Sequence, residues 1–263
     1  MTDPETPQQT LHRIPVQPWR WLPWLIASQL LVLLLWWQLG WGWGLAALVA
    51  SHALFVVPVF LPNSRFYAPV VSHLPGPAVW LTIDDGPSDD TLPILDLLDR
   101  YDAQATFFMV GERAAARPEL VREVLRRGHD LGNHSHSHPQ SRFWALGPAR
   151  MAQEIGACQQ ALAAIAGEPP RWYRSVVGMT NPFVGAALKR HDLARVGWSA
   201  RGFDGVGCEP DKVVARIGRD LAPGAIVLLH EGSGHGHNLA IIQAVLQQLQ
   251  AQGLSARLPR ATA

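Results

Sequence analysis

The stretch AVWLTIDDGP, residues 78–87, places two adjacent carboxylates directly after an apolar run. A continuous apolar segment such as Ala78–Ile83 is typical of a strand that is buried on both faces. The Asp-Gly-Pro that follows it is typical of a turn. Because chemistry in α/β proteins lies at the carboxyl ends of parallel strands, Asp84 and Asp85 are the first candidate functional residues.

A second stretch, HSHSH at residues 134–138, supplies two imidazoles four residues apart, those of His134 and His138. Together the two stretches offer a divalent metal one carboxylate and two histidines, with a spare carboxylate beside them. Metal-assisted hydrolysis requires such a set, because the ligands must leave a coordination position open and a base must activate water. Zinc, cobalt or another first-row metal suits these ligand types, and the sequence does not choose among them. A polar loop without a metal is the alternative.

The two stretches resemble the first two motifs of the polysaccharide deacetylase family, the NodB-homology carbohydrate esterases. That family reads T-F-D-D-G-P and H-[ST]-x-x-H, and this chain reads TIDDGP and HSHSH. The resemblance runs from Ala78 to the C-terminus with the motifs in the family order. It implies that Asp85, His134 and His138 bind the metal and that Asp84 is the general base. His136, between the two ligands, is interpreted as a bystander.

The segment IVLLH, which ends at His230, resembles the family's L-x-H motif. It implies that His230 is the general acid that protonates the departing amine, and that Leu228 lines the pocket for the acyl methyl group. A histidine after an apolar strand is otherwise often structural. We expect the neighbouring Glu231 to raise the pKa of His230, because a nearby negative charge favours the imidazolium. His235 and His237 are interpreted as residues of a glycine-rich loop.

Two further family motifs are altered in this chain. In place of R-P-P-Y-G it has RSVVG, residues 174–178, and in place of W-x-x-D-x-x-D-W it has WSARGFDG, residues 198–205. The resemblance implies that Arg174 orients the catalytic aspartate. The resemblance also implies that the backbone N–H at the position of Val177 binds an oxyanion, a role that does not depend on the side chain.

The second altered motif keeps Trp198 in the pocket wall and keeps Asp204, which is expected to support the orienting arginine or the catalytic histidine. One family aspartate is replaced by Arg201 and the final tryptophan by Gly205. The changes therefore affect the pocket wall more than the metal ligands.

The overall composition excludes some classes of partner. The 263 residues carry a net charge of +1, which gives no electrostatic reason to expect a nucleic-acid partner. The two cysteines, Cys158 and Cys208, are too few for a disulfide framework and lack a C-x-x-C spacing, so both are interpreted as ordinary thiols. The oligomeric state stays open.

The charge distribution indicates a membrane segment. Residues 21–64, 44 in all, contain no Asp, Glu, Lys or Arg. One membrane crossing takes about 20 apolar residues, so the stretch is long enough for two. We expect spans at Trp21–Trp37 and Trp41–Leu61, separated by the GWGWG at residues 40–44, with tryptophans as interfacial anchors. The apolar stretch is too long for a cleaved signal peptide. A buried hairpin of a soluble protein is the other alternative.

The basic residues that flank the hairpin favour one orientation. Arg13 and Arg20 precede it, Arg65 follows it, and the turn carries no charge. By the positive-inside rule, these residues favour a catalytic domain on the cytoplasmic side of a bacterial inner membrane.

The remainder of the chain alternates apolar runs with amphipathic segments, which indicates an α/β domain with a parallel sheet. Strands are predicted at Ala78–Ile83, Thr106–Val110, Leu193–Trp198 and Ala225–Leu229. Helices are predicted at Thr91–Tyr101, Pro118–Arg127, Pro148–Ala166, Pro182–Arg190, Pro210–Leu221 and Leu239–Gln252. The pattern alone allows a doubly wound sheet, whereas the resemblance implies a distorted, incomplete (β/α) barrel. The predicted divisions are a tail at 1–20, the hairpin at 21–62, a connector at 63–77 and the catalytic domain at 78–263.

These observations predict a membrane-anchored, metal-dependent hydrolase that removes an N-acyl group from an amino sugar of a polysaccharide or glycoconjugate. Two alternatives stay open. One is a deacylase or deformylase of a lipid-linked sugar at the cytoplasmic face. The other is a catalytically silent carbohydrate-binding protein on the same fold.

Overall fold

The computed structural model describes residues 10–11, 14–206 and 209–261. Its helices are α1 Trp21–Leu39, α2 Trp41–Val56, α3 Thr91–Arg100, α4 Gly111–Ala116, α5 Pro118–Arg126, α6 Pro148–Ala166, α7 Val184–Arg190, α8 Pro210–Asp220 and α9 Asn238–Ala251. Its strands are β1 Thr10–Leu11, β2 Trp80–Gly86, β3 Ala105–Met109, β4 Asp130–Asn133, β5 Trp172–Tyr173, β6 Ala194–Arg195, β7 Ala200–Arg201, β8 Ile226–His230 and β9 Arg260–Ala261. Cys208 lies outside the described residues, and Cys158 is a buried free thiol.

Seven of the strands form one sheet in the order β6-β5-β4-β3-β2-β8-β7, and every pairing in it is parallel. The sheet curls into an open half-barrel with helices on its outer face. The α/β class and the incomplete barrel are thereby confirmed. Strands β1 and β9 form a separate parallel pair.

The central strand β2 shows how the sequence builds both sides of the sheet. Its side chains alternate with the two-residue period of a strand. Leu81 and Ile83 enter the main core under the helices. Trp80 enters the smaller core inside the half-barrel, where its Nε1 donates to Thr106 Oγ1 at 2.8 Å. Asp84 continues the inner row and therefore emerges at the carboxyl edge of the sheet.

The predicted helices are all present with ends within two residues, and α4 is a further helix that the sequence pattern missed. Strands β4, β5 and β7 were also missed, because each has only two to four residues and none has an apolar run of its own. In β4, a Cβ on Gly132 would lie 2.3 Å from the Phe108 ring. That residue is therefore selected by packing against β3 and not by strand propensity.

Helices α1 and α2 form a hairpin that turns at Gly40, where φ is 85°. Both are long and apolar enough to cross a bilayer, over Trp21–Leu39 and Trp41–Phe60. Polar side chains face each other inside the hairpin, since Gln29 Nε2 donates to Ser51 Oγ at 2.9 Å. Most of the large side chains that the hairpin exposes are apolar or aromatic: Leu22, Trp24, Ile26, Leu30, Leu31, Leu33, Leu34, Trp36, Trp37, Leu39, Trp41, Trp43, Leu45, Val49, Leu54 and Val56. Two polar side chains, Gln38 and His52, are exposed as well.

The base of the hairpin packs on two aromatic residues of the connector that follows it. Tyr67 meets Trp21 edge to face at a centroid distance of 6.0 Å, and its hydroxyl donates to the Phe55 carbonyl at 2.6 Å. Phe66 packs on Phe55 at 5.4 Å. The hairpin is therefore joined to the connector by packed aromatic contacts as well as by the chain.

Residues 63–77 are packed along the sheet. Val71 forms a bridge with Val196, and His73 forms one with Ala225. The buried guanidinium of Arg195 donates to the carbonyls of Ser64 and Ala68. These contacts connect the hairpin rigidly to the half-barrel.

Candidate active site

The two aspartates at the end of β2 point to different partners because the backbone changes conformation between them. Asp84 keeps the strand register and pairs with Phe108 of β3 and His230 of β8. Asp85 has a φ of 73°, in the left-handed region, and the register with β3 shifts there. The turn directs the Asp85 carboxylate toward the HSHSH loop.

Asp85, His134 and His138 converge with one potential ligand atom from each residue, all within 4.8 Å of one another. Asp85 Oδ1 lies 3.5 Å from His134 Nε2 and 3.1 Å from His138 Nε2. The structure thus brings together the three metal ligands that the sequence motifs indicate.

The hydrogen bonds around the three ligands fit a divalent metal. His134 Nδ1 donates to the Arg174 carbonyl at 2.9 Å, which leaves the Nε2 lone pair of the neutral ring directed at the cluster. Asp85 Oδ1 is buried and contacts both Nε2 atoms without an aligned hydrogen bond to either. A buried carboxylate oxygen normally has one, so this unsatisfied atom between two imidazoles is what a metal site would present.

Asp84 is held between the candidate metal site and a buried arginine. Arg174 Nη1 donates to Asp84 Oδ1 at 2.8 Å and to Thr82 Oγ1 at 2.7 Å, and Nη2 donates to the Gly197 carbonyl at 2.8 Å. The other oxygen, Asp84 Oδ2, lies 3.7 Å from His134 Nε2. Arg174 therefore orients one carboxylate oxygen and leaves the other facing the ligand cluster.

His230 is anchored by Asp204 through two contacts. Its Nδ1 lies 3.0 Å from Asp204 Oδ1, and its backbone N–H donates to Asp204 Oδ2 at 2.7 Å. Burial of the ring disfavours its charged form, but the Asp204 carboxylate outweighs this and raises the pKa of His230 to about 9. The sequence left open whether Asp204 supports Arg174 or His230, and the geometry joins it to His230.

The expectation that Glu231 raises the pKa of His230 was wrong. The Glu231 side chain turns to the opposite side of the strand, where its Oε2 accepts from Ser88 Oγ at 2.7 Å and from Thr91 Oγ1 at 2.5 Å. Adjacent side chains of a strand point to opposite faces, so a neighbour in sequence is a poor candidate for a partner.

A pocket of about 110 Å³ opens over these groups. Fourteen residues line it: Asp84, Asp85, His134, His138, Gln140, Val177, Gly178, Trp198, Arg201, Phe203, Gly205, Val206, Leu228 and His230. The lining includes the three residues predicted to bind substrate, Val177, Trp198 and Leu228. Val177 is about half exposed, at 48 %, and has a φ of 53°. Gln140 also lines the pocket, and its one signal in the sequence is its position two residues after His138.

His136, interpreted as a bystander, and the loop residues His235 and His237 do not line this pocket. His136 packs over the start of α4, where a Cβ on Gly111 would lie 2.5 Å from its Nδ1. His235 lies nearer to the chemistry, since its Nε2 is 2.6 Å from the Asp204 carbonyl, and its ring stacks on that of His237. It therefore supports the loop that carries Asp204.

The end of the hairpin contacts the pocket wall. Asn63 Nδ2 donates to the Trp198 carbonyl at 2.8 Å, and Thr180 N–H donates to the Val59 carbonyl at 2.9 Å. A Cβ on Gly178 would lie 2.4 Å from the Trp198 ring and 2.9 Å from Pro62. The residues at the C-terminal end of the hairpin therefore pack directly behind the residues that line the site.

An Asp-His-His cluster, an Asp-Arg pair and an Asp-His pair at the carboxyl edge of a parallel half-barrel supply a candidate metal site, a candidate base and a candidate acid, which is the set that a hydrolase requires. Residues 72–196 match the family polysaccharide deacetylase. A chitooligosaccharide deacetylase of Bradyrhizobium sp. (strain ANU 289) is 33 % identical over 191 residues, which cover 69 % of this chain and 83 % of that protein. The chain therefore belongs to the polysaccharide deacetylase family and is a hydrolase that acts on carbon–nitrogen bonds in N-acetylated sugars.

Two further relatives agree with this assignment. A peptidoglycan-N-acetylglucosamine deacetylase of Bacillus cereus is 30 % identical over 181 residues, which cover 66 % of this chain and 64 % of that protein. The solved structure of a family 4 carbohydrate esterase from Streptomyces lividans in complex with acetate superposes with a TM-score of 0.63. It is 34 % identical, and the match covers 69 % of this chain and 92 % of that one.

Proposed function

We propose that this protein is a membrane-anchored, metal-dependent enzyme that removes an N-acyl group from an amino sugar of a polysaccharide or glycoconjugate. N-acetyl is the first candidate for the acyl group. In this proposal Asp85, His134 and His138 hold a divalent metal, with zinc as the first candidate. The observation that carries it is the convergence of the buried Asp85 Oδ1 with two imidazole nitrogens, at 3.1 Å and 3.5 Å. The chemistry that a bound metal supplies there is polarisation of the amide carbonyl and acidification of water.

Asp84 is the proposed general base. Its Oδ1 is fixed by Arg174, and its Oδ2 faces the ligand cluster and the pocket. A base must lie within hydrogen-bond reach of the proton that it takes, and this fixed geometry supports that role. Asp84 accepts a proton from the attacking water as the water oxygen bonds to the amide carbon. Arg174 acts by positioning that carboxylate.

His230 is the proposed general acid on the opposite side of the pocket. Asp204 occupies its Nδ1, so Nε2 is the nitrogen that carries the transferable proton. A pKa of about 9 keeps the ring protonated at neutral pH. His230 gives this proton to the amine nitrogen as the carbon–nitrogen bond breaks, which releases a carboxylic acid and the free amino sugar.

The remaining pocket residues bind the acyl group. The backbone N–H of Val177 is the proposed donor to the carbonyl oxygen as charge develops on it. Leu228 and Trp198 supply apolar surface for the acyl methyl group. A small pocket bounded by these side chains favours a short acyl chain.

The chelation experiment tests the metal-dependent step. The purified protein is assayed for acetate release from N-acetylated chitooligosaccharide before and after chelation, and again after addition of zinc or cobalt. We expect loss and recovery of activity together with binding of about one metal per chain. Undiminished acetate release from demonstrably metal-free protein would refute the proposal. Glycan binding with no acetate release from the metal-loaded protein would instead favour the silent carbohydrate-binding protein.

The proposal of a membrane anchor is supported by the distribution of polar and apolar side chains in the hairpin. Its polar side chains Gln29 and Ser51 bond to each other inside, whereas its exposed residues are mostly apolar, with Gln38 and His52 as polar exceptions. At 1.5 Å per residue, the 19 residues of α1 extend about 28 Å, close to the thickness of a bilayer core. Trp19 and Trp24 lie exposed near the base of the hairpin, as interfacial anchors do. The proposed location is a bacterial inner membrane.

A second candidate substrate, a lipid-linked amino sugar, is favoured by one observation. The residues that leave the hairpin, Val59 to Asn63, contact the wall of the catalytic pocket. An enzyme anchored by this hairpin would therefore hold its pocket beside the membrane surface, within reach of a sugar attached to a lipid. The flanking basic residues Arg20 and Arg65 favour the cytoplasmic side.

A further inference from the structure

Arg201 occupies an unusual position in the pocket. It lies at the end of β7 and lines the same cavity as Asp84 and His230. Its guanidinium carbon is 3.9 Å from the centroid of the Phe203 ring and 5.0 Å from that of Trp198. Contacts with two aromatic rings hold the guanidinium plane in place without using its hydrogen-bond donors.

The other charged side chains that line the pocket or pair with its residues have local partners. Asp84 pairs with Arg174, Asp204 pairs with His230, and Asp85 lies in the ligand cluster. Within the described part of the chain, no carboxylate forms an ion pair with Arg201, and its buried Nε has no hydrogen-bond partner. Buried or half-buried charges are normally paired, so the protein presents a fixed cation with unused donors to the pocket.

We propose that Arg201 binds an oxyanion, phosphoryl or carboxylate, carried by the substrate sugar next to its N-acyl group. This inference rests on the proposed function of the same pocket. A planar guanidinium binds a carboxylate or phosphate through two parallel hydrogen bonds. Arg201 lines the same pocket as Asp84 and His230, so the anionic group belongs to the sugar that carries the N-acyl group, which in a 2-acylamino sugar places it on the adjoining C1 or C3 position.

Binding measurements separate this inference from the proposed catalysis. They use the full chain carrying Asp84→Asn, which keeps the ligand cluster and prevents turnover. The probes are N-acetylglucosamine 1-phosphate, with a phosphoryl group at C1, N-acetylmuramic acid, with a carboxylate on C3, and the neutral methyl glycoside of N-acetylglucosamine. We expect one anionic probe to bind at least about tenfold more tightly than the neutral one, and the preferred probe identifies the position of the anion.

Two substitutions of Arg201 and one control then test whether Arg201 causes the preference for the anionic probe. Arg201→Gln should abolish it while leaving the affinity for the neutral glycoside within about twofold, and Arg201→Lys should retain part of it. Arg216→Gln is the matched control. Arg216 also lies over the Phe203 ring, at 5.7 Å, but does not line the pocket. Thermal unfolding of each variant establishes that it is folded.

Kinetics on the enzyme with Asp84 intact add a readout that a purely structural role would not change. Arg201→Gln should raise KM for the preferred anionic substrate about tenfold with kcat little altered, because binding to an unreacting substituent stabilises ground state and transition state alike. Equal affinity for neutral and anionic probes, or a preference that survives Arg201→Gln, would overturn the inference and leave the proposed deacylation intact. Absence of acetate release from every substrate would contradict the proposed function and leave the binding result valid.

Discussion

Asp84 and His230 are register partners on the neighbouring parallel strands β2 and β8. Each has its own polar partner, Arg174 for the aspartate and Asp204 for the histidine. A proton acceptor and a proton donor are thus placed side by side at the same edge of the sheet, and both line the pocket. Because both partners are buried, neither side chain is free to rotate away.

Loss of one proposed ligand should remove the metal. His134→Ala should reduce metal affinity more than about 100-fold, because even substitutions outside the ligand set cost 10- to 100-fold at metal sites. Metal content after dialysis and calorimetric titration measure the effect. His136→Ala is the matched control in the same loop and should bind metal as the parent does. Equal metal binding by both variants would refute the assignment of the ligands.

Removal of the proposed base should separate binding from turnover. Asp84→Asn should keep the metal and lower kcat by about 10²- to 10⁴-fold, the range expected for general-base catalysis. Steady-state kinetics with parallel metal analysis measure this. Asp89→Asn is the control, since Asp89 is exposed and pairs with Arg117, away from the pocket residues. A kcat for Asp84→Asn within threefold of the parent would exclude the role.

The proposed acid should set the alkaline limit of activity. With the pKa of His230 raised to about 9, kcat/KM should fall as pH rises through about 9. The same shift links to stability: a histidine pKa above its unfolded value of about 6.5 stabilises the fold fully below that pH, and the contribution is lost as pH rises through 9. Asp204→Asn should move the alkaline limb to lower pH, because it removes the charge that favours the imidazolium.

Glu231→Gln is the control for the pH profile. Glu231 is adjacent to His230 in sequence but bonds to Ser88 and Thr91. Its substitution should leave the alkaline limb where it is. If Glu231→Gln shifts the alkaline limb of the pH profile and Asp204→Asn does not, then Glu231 and not Asp204 raises the pKa of His230.

The contact between hairpin and pocket wall predicts a sensitive glycine. Gly178 has a φ of 72°, and a Cβ there would lie 2.4 Å from the Trp198 ring. Gly178→Ala should destabilise the protein by about 1–3 kcal/mol, a shift of several degrees in Tm, and should lower kcat/KM by displacing the wall. At Gly234 a Cβ would meet nothing within 4 Å, so Gly234→Ala should have little effect on either measurement.

The hairpin proposal predicts that both ends of the chain share one side of the membrane. A reporter that is active only outside the cytoplasm should work when fused at Gly42 and fail when fused at the C-terminus. Activity of the C-terminal fusion would place the domain outside and make an extracytoplasmic glycan the substrate. Release of the full-length chain into the soluble fraction without detergent would argue against any membrane span.

The sequence by itself determined the elements with strong local signals. The apolar runs before Asp84 and His230 predict the two strands that carry base and acid, because a strand buried on both faces requires such a run. The charge-free residues 21–64 predict the hairpin helices for a similar reason. The aspartates and the paired histidines indicate the ligand set through residue type and spacing, which are local properties.

Only the tertiary structure decided the partners of these residues. Strands β4, β5 and β7 are too short to be recognised, yet His134, Arg174 and Arg201 lie at or directly after their ends. Asp204 and His230 are 26 residues apart, and Arg174 and Asp84 are 90 apart. Their contacts follow from the order of strands in the sheet, which depends on packing between distant segments. For the same reason, adjacency in sequence wrongly indicated that Glu231 raises the pKa of His230. The position of Arg201 in the pocket without an ion-pair partner among the described residues likewise depends on the folded structure.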